Sequence, residues 1–464
     1  MSRLKAAPAL FVLVTVLVAA SVAAATRSAA TRASTAAGPR NVILMIPDGC
    51  GWSSFGLARL YTGHPLALDE ILVGACETHS ADALITDSAA GATAYASGVK
   101  TRNRELGLTP DLKPVATVLE GARARGLSTG LVATSRITHA TPAAFAVHVS
   151  ERDDETEIAI QELDHRVDVL LGGGRREFVS AASGGLRSDG RNLIDEARRS
   201  GYAVIGSRAE LAASTTTPLL GLFTPDHMSY EIDRDTLAEP SLAEMARKAL
   251  ALLARNPRGF FIMIEGSRVD HAGHQNDPAT HVGEVLAYDQ AVAVALEFAK
   301  RDGHTLVISV ADHETGGLSL GRWSDRDSAS RLEPAALHRV RESAARMAGE
   351  IRGGAAADEV LARAAGITDL TPEERAALAH GGSGDRGLIG TIGTIESRRA
   401  GVGWTTWSHT AQDVGLYAFG PGAERLRGTH ENTDVAHVIA AVLGLDLETL
   451  TAQERRASAS PARR

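Results

Sequence analysis

The sequence predicts an α/β protein with a mostly parallel central sheet, helices on both faces, and a helix- and Gly-rich insertion. Short apolar runs at residues 41–46, 259–264 and 305–310 alternate with longer helical patterns. Continuous apolar runs are typical of strands buried on both faces, and their alternation with helices favours parallel pairing. Acidic residues or histidines follow several runs, and the carboxyl ends of parallel strands are where functional groups collect.

The first strand, 41–46, ends at an acidic residue and a turn glycine. The elements after it follow from hydrophobic periodicity and from helix start and stop residues. Further strands are predicted at 74–80, 129–134, 167–171, 202–205, 259–264, 305–310 and 414–419, and helices at 53–61, 114–125, 153–163, 192–200, 241–255, 280–300 and 433–444.

Residues 321–403 interrupt this alternation and are interpreted as an insertion. Helices are expected there over 334–352, 355–365 and 372–380, followed by a Gly-rich stretch at 381–393. The main domain then covers 39–450. The tail from 451 to 464 is rich in Ala, Ser and Arg and is expected to be disordered.

The first 38 residues are expected to lie outside the folded domain. Arg3 and Lys5 precede an apolar run that ends in small residues near Ala25, so residues 1–25 are predicted to be a signal peptide. Residues 26–38 form a flexible leader in this interpretation. An uncleaved membrane anchor is the alternative, because the run is near the lower length of a span. We therefore expect a secreted protein, periplasmic or extracellular, with no membrane association after cleavage.

Composition narrows the classes of partner. The formal net charge is −8, which argues against nucleic acid as a specific partner. An anionic small substrate is compatible with this charge where local cations override the global field. Cys50 and Cys76 are the two cysteines, and two buried free thiols are favoured over a disulfide.

The stretch around Ser88 combines a helix start with a hydroxyl group. Ser88 follows Asp87 and leads into small residues that end near Gly98, so either residue can cap a helix there. The start of a helix presents free N–H groups and suits an anion such as phosphate. Taken alone, the stretch favours the simpler interpretation of a capped, Ala-rich core helix.

Metal-type side chains lie near the ends of several predicted strands. Acids and imidazoles gathered at one sheet edge would repel one another or be desolvated unless cations held them. Histidine with carboxylate suits zinc, whereas an all-oxygen set suits magnesium. These residues are Asp48, Glu265, Asp270, His274, Asp312, His313 and His409.

Two further features favour structural roles. Gly172-Gly173-Gly174 lacks the spacing of a phosphate-binding loop and is interpreted as a tight turn. His148 lies in an apolar run and is interpreted as a packed core histidine.

Six short motifs occur in order along the chain. They are Pro47-Asp48-Gly49, Thr86-Asp87-Ser88-Ala89-Ala90, Thr138-His139-Ala140-Thr141-Pro142 with Arg152 downstream, Glu265-Gly266 through Asp270 and His274, Ala311-Asp312-His313-Glu314, and His409-Thr410. In these motifs the sequence resembles the alkaline phosphatase family, from about residue 41 to 443 and least in the predicted insertion. Six ordered motifs are far more specific than any one of them.

The resemblance implies hydrolysis of small-molecule phosphate monoesters with two zinc ions and one magnesium ion. Ser88 matches the nucleophile, which forms a phosphoserine and ligates the second zinc as an alkoxide. Arg152 matches the phosphate clamp, and Asp87 is expected to orient it. The implied ligands are Asp270, His274 and His409 for the first zinc, Asp48, Asp312 and His313 for the second, and Asp48, Thr141 and Glu265 for magnesium.

His139 and His271 stand where some family members have Asp and Lys, and they are expected just outside the metal ligands, beside the substrate. Two histidines there imply a third site that is weaker or holds another metal, since outer-shell changes alter metal affinity about tenfold or more. Similar enzymes are often dimers, so a homodimer is a further expectation.

Two alternatives remain open at this point. One is a related metallo-phosphodiesterase or sulfatase. A serine at 88 rather than a threonine favours monoesters, together with Thr141, Glu265 and Arg152, and no sulfatase-type Cys-x-Pro-x-Arg motif occurs. The other is an exported metal- or phosphate-binding protein without catalytic activity, which would need no serine nucleophile.

Overall fold

A computed structural model describes residues 39–323, 330–381 and 387–458. Its centre is a 10-stranded sheet. Neighbouring strands are parallel except at Val414–Phe419, which is antiparallel to both of its neighbours. The predicted mostly parallel sheet is confirmed. Across the sheet the order is Gly428–Glu431, Leu72–Glu77, Val414–Phe419, Thr305–Val310, Asn41–Ile46, Phe260–Glu265, Ser128–Arg136, Val169–Gly173, Leu219–Leu222 and Ala203–Ile205.

Both faces of the sheet are covered. Every residue of the strands Asn41–Ile46, Phe260–Glu265 and Thr305–Val310 is buried. Because successive side chains of a strand point to opposite faces, this burial requires packing on each side. The surrounding helices are Trp52–Thr62, Ser88–Ser97, Val118–Ala124, Ala140–Ala143, Glu155–Asp164, Leu193–Arg199, Arg208–Ala213, Leu242–Leu253, Arg268–His274, Pro278–Asp302 and Asn432–Leu443.

The predicted helix at 114–125 begins later, at Val118. Thr117 and Glu120 form a capping box in which each side chain accepts a hydrogen bond from the backbone N–H of the other, at 3.1 Å and 2.8 Å. This reciprocal cap fixes the helix start, so Pro114 lies outside it.

Two strands of the 10-stranded sheet were not predicted. Leu219–Leu222 has only 4 residues, and Gly428–Glu431 contains no apolar run and lies at the sheet edge with no fully buried residue. Neither has the length or periodicity that distinguishes a strand in sequence.

The segment from 330 to 400 is largely helical, but its boundaries differ from those predicted. The helix expected over 334–352 is divided into a 3-10 helix and an α-helix, because Ser343 caps a new start by accepting a hydrogen bond from the N–H of Arg346 at 3.1 Å. The Gly-rich stretch is partly helical, since Ile392 and Ile395 are buried in the core. The elements are Pro334–Arg339, Ala344–Arg352, Ala357–Ala365, Pro372–Ala379 and Gly387–Ala400.

The disorder predicted from Thr451 onward is wrong for residues 451–458, which belong to the helix Leu447–Ser458. Thr451 Oγ1 accepts a hydrogen bond from the N–H of Ala116 at 3.0 Å, and Arg455 Nε donates to the carbonyl of Pro114 at 3.1 Å. These tertiary contacts outweigh a polar composition. Residues 459–464, the predicted signal peptide 1–25 and the predicted leader 26–38 lie outside the described residues.

The predicted pair of buried free thiols is confirmed for Cys50 and Cys76. Within the described ranges, no single helix is long and apolar enough to cross a membrane. Asn432–Leu443 and Leu447–Arg456 pass that test together by length and composition, with a bend of 105° between them.

Candidate metal centre

Three carboxylates meet at the carboxyl end of the central strands. Asp48 lies just after the strand Asn41–Ile46, and Glu265 is the last residue of the paired strand Phe260–Glu265. Asp312 lies just after Thr305–Val310, which pairs with Asn41–Ile46 on its other side. All three carboxyl groups are fully buried. Burial, with the charges of the other acids, raises the pKa of Asp48 well above its ordinary value and that of Asp312 to about 7. A cluster of this kind requires cations or protons to balance it.

The first ligand group contains Asp270, His274 and His409. Asp270 and His274 lie one turn apart on the helix Arg268–His274, as their spacing predicted. The Nε2 atoms of His274 and His409 lie 3.4 Å and 3.6 Å from Asp270 Oδ1. His409 reaches this position because His409–Thr410 pairs with Glu314–Thr315.

Both histidine rings are oriented by backbone carbonyls. His274 Nδ1 lies 2.7 Å from the carbonyl oxygen of Trp407, and His409 Nδ1 lies 2.8 Å from that of Thr86. An Nδ1–H that donates to a carbonyl leaves the lone pair on Nε2. The two Nε2 atoms therefore face Asp270 as free ligands.

The second group contains Asp48, Asp312 and His313. The Nε2 atom of His313 lies 3.6 Å from Asp48 Oδ1 and 3.4 Å from Asp312 Oδ2. The same Nε2 atom lies 3.2 Å from the Oγ of Ser88. Residues 311–313 form a loop, as the adjacency of two ligands predicted. Ser88 is thus placed directly beside this group.

A third group contains Asp48, Glu265 and His139, each offering a ligand atom within 4.8 Å of the others. Thr141 Oγ1 is also buried, and it has no hydrogen-bond partner among the described residues. The family resemblance of the sequence implied that His139 lies just outside the ligands of this site. The structure instead brings its ring within ligand range of the two carboxylates.

Ser88 begins the helix Ser88–Ser97, as predicted, and its side chain is buried. Asp87 caps the helix, because its Oδ1 accepts a hydrogen bond from the N–H of Ala90 at 3.0 Å. Asp87 Oδ2 accepts a hydrogen bond from Arg152 Nη1 at 2.9 Å. Arg152 Nη2 lies 3.2 Å from Nε2 of His139. The guanidinium is therefore held beside the serine between an acid and an imidazole.

Two glycines allow these groups to approach one another. Gly49 has a left-handed φ of 70°, and a Cβ there would lie 2.9 Å from the Cα of Asp270. A Cβ on Gly91 would lie 3.1 Å from the carbonyl oxygen of Asp312. The loops with the ligands and the serine helix can pack this closely because neither position has a side chain.

A second histidine cluster lies beside Arg152 and contains a residue that sequence reasoning missed. The ring centroid of His227 lies 4.5 Å from the ring centroid of His271 and 5.5 Å from that of His139. Nδ1 of His271 lies 2.7 Å from Nη1 of Arg268. His227 follows no predicted strand and has no motif, so tertiary structure alone places it here.

The two features interpreted as structural in the sequence do not contact this centre. His148 lies between the carbonyl of Gly107 and the carboxylate of Glu120, at 2.7 Å and 3.1 Å. The glycine stretch belongs to the strand Val169–Gly173, and Gly174 turns the chain with a φ of 91°.

Comparison with known proteins gives a consistent result. The alkaline phosphatase family model matches residues 39–445. The chain belongs to the alkaline phosphatase family. It is 39% identical to alkaline phosphatase 4 of Bacillus subtilis, over 87% of this chain and 88% of that protein. It is 37% identical to the repressible alkaline phosphatase of Saccharomyces cerevisiae, over 89% of this chain and 82% of that protein. The alkaline phosphatase structure from Thermus thermophilus superposes with a TM-score of 0.80 and 31% identity. The match covers 91% of this chain and 96% of that chain.

Alkaline phosphatases use metal ions, and this chain's residues fit them. Several buried side-chain atoms lack hydrogen-bond partners among the described residues, although buried polar atoms normally have them. Six of these atoms belong to side chains of the second and third groups, and carboxylate, hydroxyl and imidazole ligands suit divalent cations. These atoms are both carboxylate oxygens of Asp48, Glu265 Oε1, Asp312 Oδ2, Thr141 Oγ1 and His139 Nδ1.

Proposed function

We propose that this phosphatase hydrolyses phosphate monoesters through a phosphoserine intermediate on Ser88, with two zinc ions and one magnesium ion. The position of Ser88 supports this most directly. Its Oγ lies 3.2 Å from the ligand nitrogen of His313, and the Arg152–Asp87 ion pair lies at the start of the same helix. The proposed nucleophile, one group of candidate metal ligands and the anion-binding guanidinium of Arg152 therefore lie close together.

The chain's own residues would bind and position the substrate. Arg152 presents a planar guanidinium that can hold two non-bridging phosphoryl oxygens. Ser88 Oγ gives up its proton and bonds to phosphorus while the bond from phosphorus to the leaving oxygen breaks. That oxygen takes a proton and departs as the alcohol. Water then attacks the phosphoserine, which releases inorganic phosphate and restores the serine. Two displacements give retention at phosphorus.

The metal ions would be held by the three groups described above, with zinc in the first group (Asp270, His274 and His409) and in the second (Asp48, Asp312 and His313). When bound, they would favour the serine alkoxide and stabilise negative charge on the entering and leaving oxygens. Magnesium is proposed for Asp48, Glu265 and Thr141. The presence of His139 there lowers the expected magnesium affinity, because magnesium prefers oxygen ligands.

A metal-independent serine–histidine pair is a weaker interpretation of the same contact. His313 Nε2 faces Ser88, as a general base would. However, the same atom lies close to two buried carboxylates, Asp48 and Asp312. That arrangement favours a metal ligand, because the acceptor that orients a general base contacts its other ring nitrogen, Nδ1, whereas both carboxylates here face Nε2 itself.

Replacement of Ser88 tests the proposal. Ser88→Ala should lower kcat for an aryl phosphate about a thousandfold or more, and acid quenching should trap labelled phosphoserine in the wild type and none in the variant. Ser97→Ala, at the other end of the same helix, is the control and should retain turnover. Intact turnover in Ser88→Ala would exclude the covalent mechanism. A preference for a bis-aryl phosphate would instead support a phosphodiesterase, and bound zinc without hydrolysis would support a binding protein.

A further inference from the structure

One arginine outside the predicted site contacts both sequence neighbours of Arg152. Arg104 Nε donates a hydrogen bond to Oε2 of Glu151 at 3.1 Å, and its Nη2 donates to Oε1 at 2.5 Å. The same Nη2 donates to Oδ2 of Asp153 at 2.5 Å. A single guanidinium therefore bridges the residue before Arg152 and the residue after it.

The backbone of Arg104 contacts the same unit. Its N–H donates to Asp87 Oδ2 at 3.1 Å, the oxygen that also accepts the hydrogen bond from Arg152 Nη1. Its carbonyl accepts a hydrogen bond from the N–H of Arg152 at 2.9 Å. Arg104 thus contacts the backbone of Arg152, both of its neighbours and the carboxylate that orients its side chain.

Arg104 holds this position in a disfavoured conformation. Its φ is 76°, in the left-handed region where side chains other than Gly, Asn and Asp are uncommon. The adjacent Asn103 fixes the turn, because its Oδ1 accepts a hydrogen bond from the N–H of Asp87 at 3.1 Å and its Nδ2 donates to the carbonyl of Ile85 at 3.0 Å. Such conformations persist where surrounding contacts over-determine them.

We propose that Arg104 is a positioning residue that fixes the Arg152 guanidinium for binding the phosphoryl group. The inference rests on the proposed role of Arg152. A guanidinium that is already oriented loses less conformational freedom when phosphate binds. The contribution of Arg104 should therefore affect phosphate affinity and KM, whereas the chemical step at Ser88 is left nearly unchanged.

Arg104→Gly isolates the side chain, because glycine adopts the same φ without strain and keeps the backbone N–H and carbonyl. Inorganic phosphate binding to the metal-loaded enzyme, measured by calorimetry at low ionic strength, should weaken about threefold to tenfold, since exposed ion pairs contribute modestly. KM for an aryl phosphate should rise by a similar factor, and kcat should change less than about twofold. Arg104→Lys should restore part of the affinity.

Two matched variants separate positioning from general charge. The double variant Glu151→Gln/Asp153→Asn removes the same ion pairs and should reproduce the loss in Arg104→Gly. Arg102→Ala removes an exposed arginine whose side chain makes no ion pair in the described part of the chain, and it should leave phosphate affinity unchanged. At about 1 M salt, where the Debye length is about 3 Å, the difference between wild type and Arg104→Gly should shrink, because the three paired side chains are 49–72% exposed.

Two outcomes would overturn the inference: unchanged phosphate affinity in Arg104→Gly, whether or not its melting temperature falls, or an equal loss of affinity in Arg102→Ala. Repeating the calorimetry in a Ser88→Ala background keeps the result independent of turnover. If the phosphoserine mechanism were wrong but Arg152 bound phosphate, the difference due to Arg104 would persist there.

Discussion

The Nε2 atoms of His274 and His409 lie 3.1 Å apart, while the Nδ1 atom of each ring lies within hydrogen-bond distance of a backbone carbonyl. With both Nδ1 atoms donating, the two Nε2 lone pairs face one another and Asp270 Oδ1. Such an arrangement is unfavourable unless a metal ion or a proton lies between the three atoms. The backbone therefore prepares this group for a metal before the metal binds.

Loss of one of these ligands should reduce both zinc content and stability. His409→Ala should bind about one zinc fewer per chain by elemental analysis, because three-ligand sites tolerate few losses. A zinc ion that binds only the folded protein stabilises it by about 4 kcal/mol at a free concentration 1,000 times its Kd. Melting of the variant should accordingly be less sensitive to a chelator. His380→Ala, which removes an exposed histidine, should retain wild-type zinc content, and an equal loss in that variant would contradict the assignment.

Replacement of His139 by aspartate should favour magnesium in the third group. His139→Asp supplies an oxygen ligand beside Asp48 and Glu265, and magnesium demands oxygen ligands. We expect magnesium affinity, measured by calorimetry with the zinc sites filled, to rise about tenfold or more. The control His227→Asp introduces the same charge at a neighbouring position, whose side chain is not in the ligand group. Equal gains in both variants would indicate a general charge effect.

The buried Glu162 should destabilise the fold at alkaline pH. Neither of its carboxylate oxygens has a hydrogen-bond partner among the described residues. Burial, and then the charge of Glu155, raises its pKa well above the ordinary value of 4.5. The folded state therefore keeps a proton that the unfolded state releases, and the free energy of unfolding falls as pH rises above that value.

Glu162→Gln should consequently gain stability relative to the wild type as pH rises, by about 1–3 kcal/mol when the wild-type carboxyl ionises. Denaturant unfolding at about pH 5 and about pH 9 measures this difference. Glu157→Gln, on the same helix, controls for the loss of a carboxylate. A stability difference that does not change with pH would show that Glu162 is not protonated in the folded protein.

The two thiols should be unreactive in the folded protein. Burial raises the pKa of Cys76 to about 12 and that of Cys50 further, so little thiolate forms at neutral pH. Titration with an aromatic disulfide reagent should detect neither thiol in the native enzyme and both after denaturation. Rapid reaction in the native state, or no thiol after denaturation, would contradict this.

Sequence predicts the centre of this fold well because its strands are continuous apolar runs. The strand 414–419 was predicted with its observed bounds, but its antiparallel direction depends on long-range pairing that no local pattern records. The edge strand Gly428–Glu431 has no apolar run and is stabilised by its neighbour. The tail helix was missed because its stability comes from contacts with residues 114–116.

The candidate site likewise contains residues that local sequence patterns predict and residues that depend on long-range contacts. Residues that follow strand ends, such as Asp48 and Asp312, could be predicted because parallel strands bring their carboxyl ends together. Arg104 and His227 could not, since neither follows a strand or belongs to a motif. Their proximity to Arg152 and His139 arises from loops that are distant in sequence.

The paired ends of the segment between residues 320 and 402 isolate the metal centre from changes within that segment. Ser319–Leu320 pairs with Val402–Gly403, and beyond this stem Glu314–Thr315 pairs with His409–Thr410. The two ends of this segment therefore lie side by side, and His409 follows its C-terminal end. Because both ends are held by strand pairing, we expect the position of His409 to depend little on the length of the segment between them. A change of length within this segment should therefore leave the position of His409 unchanged.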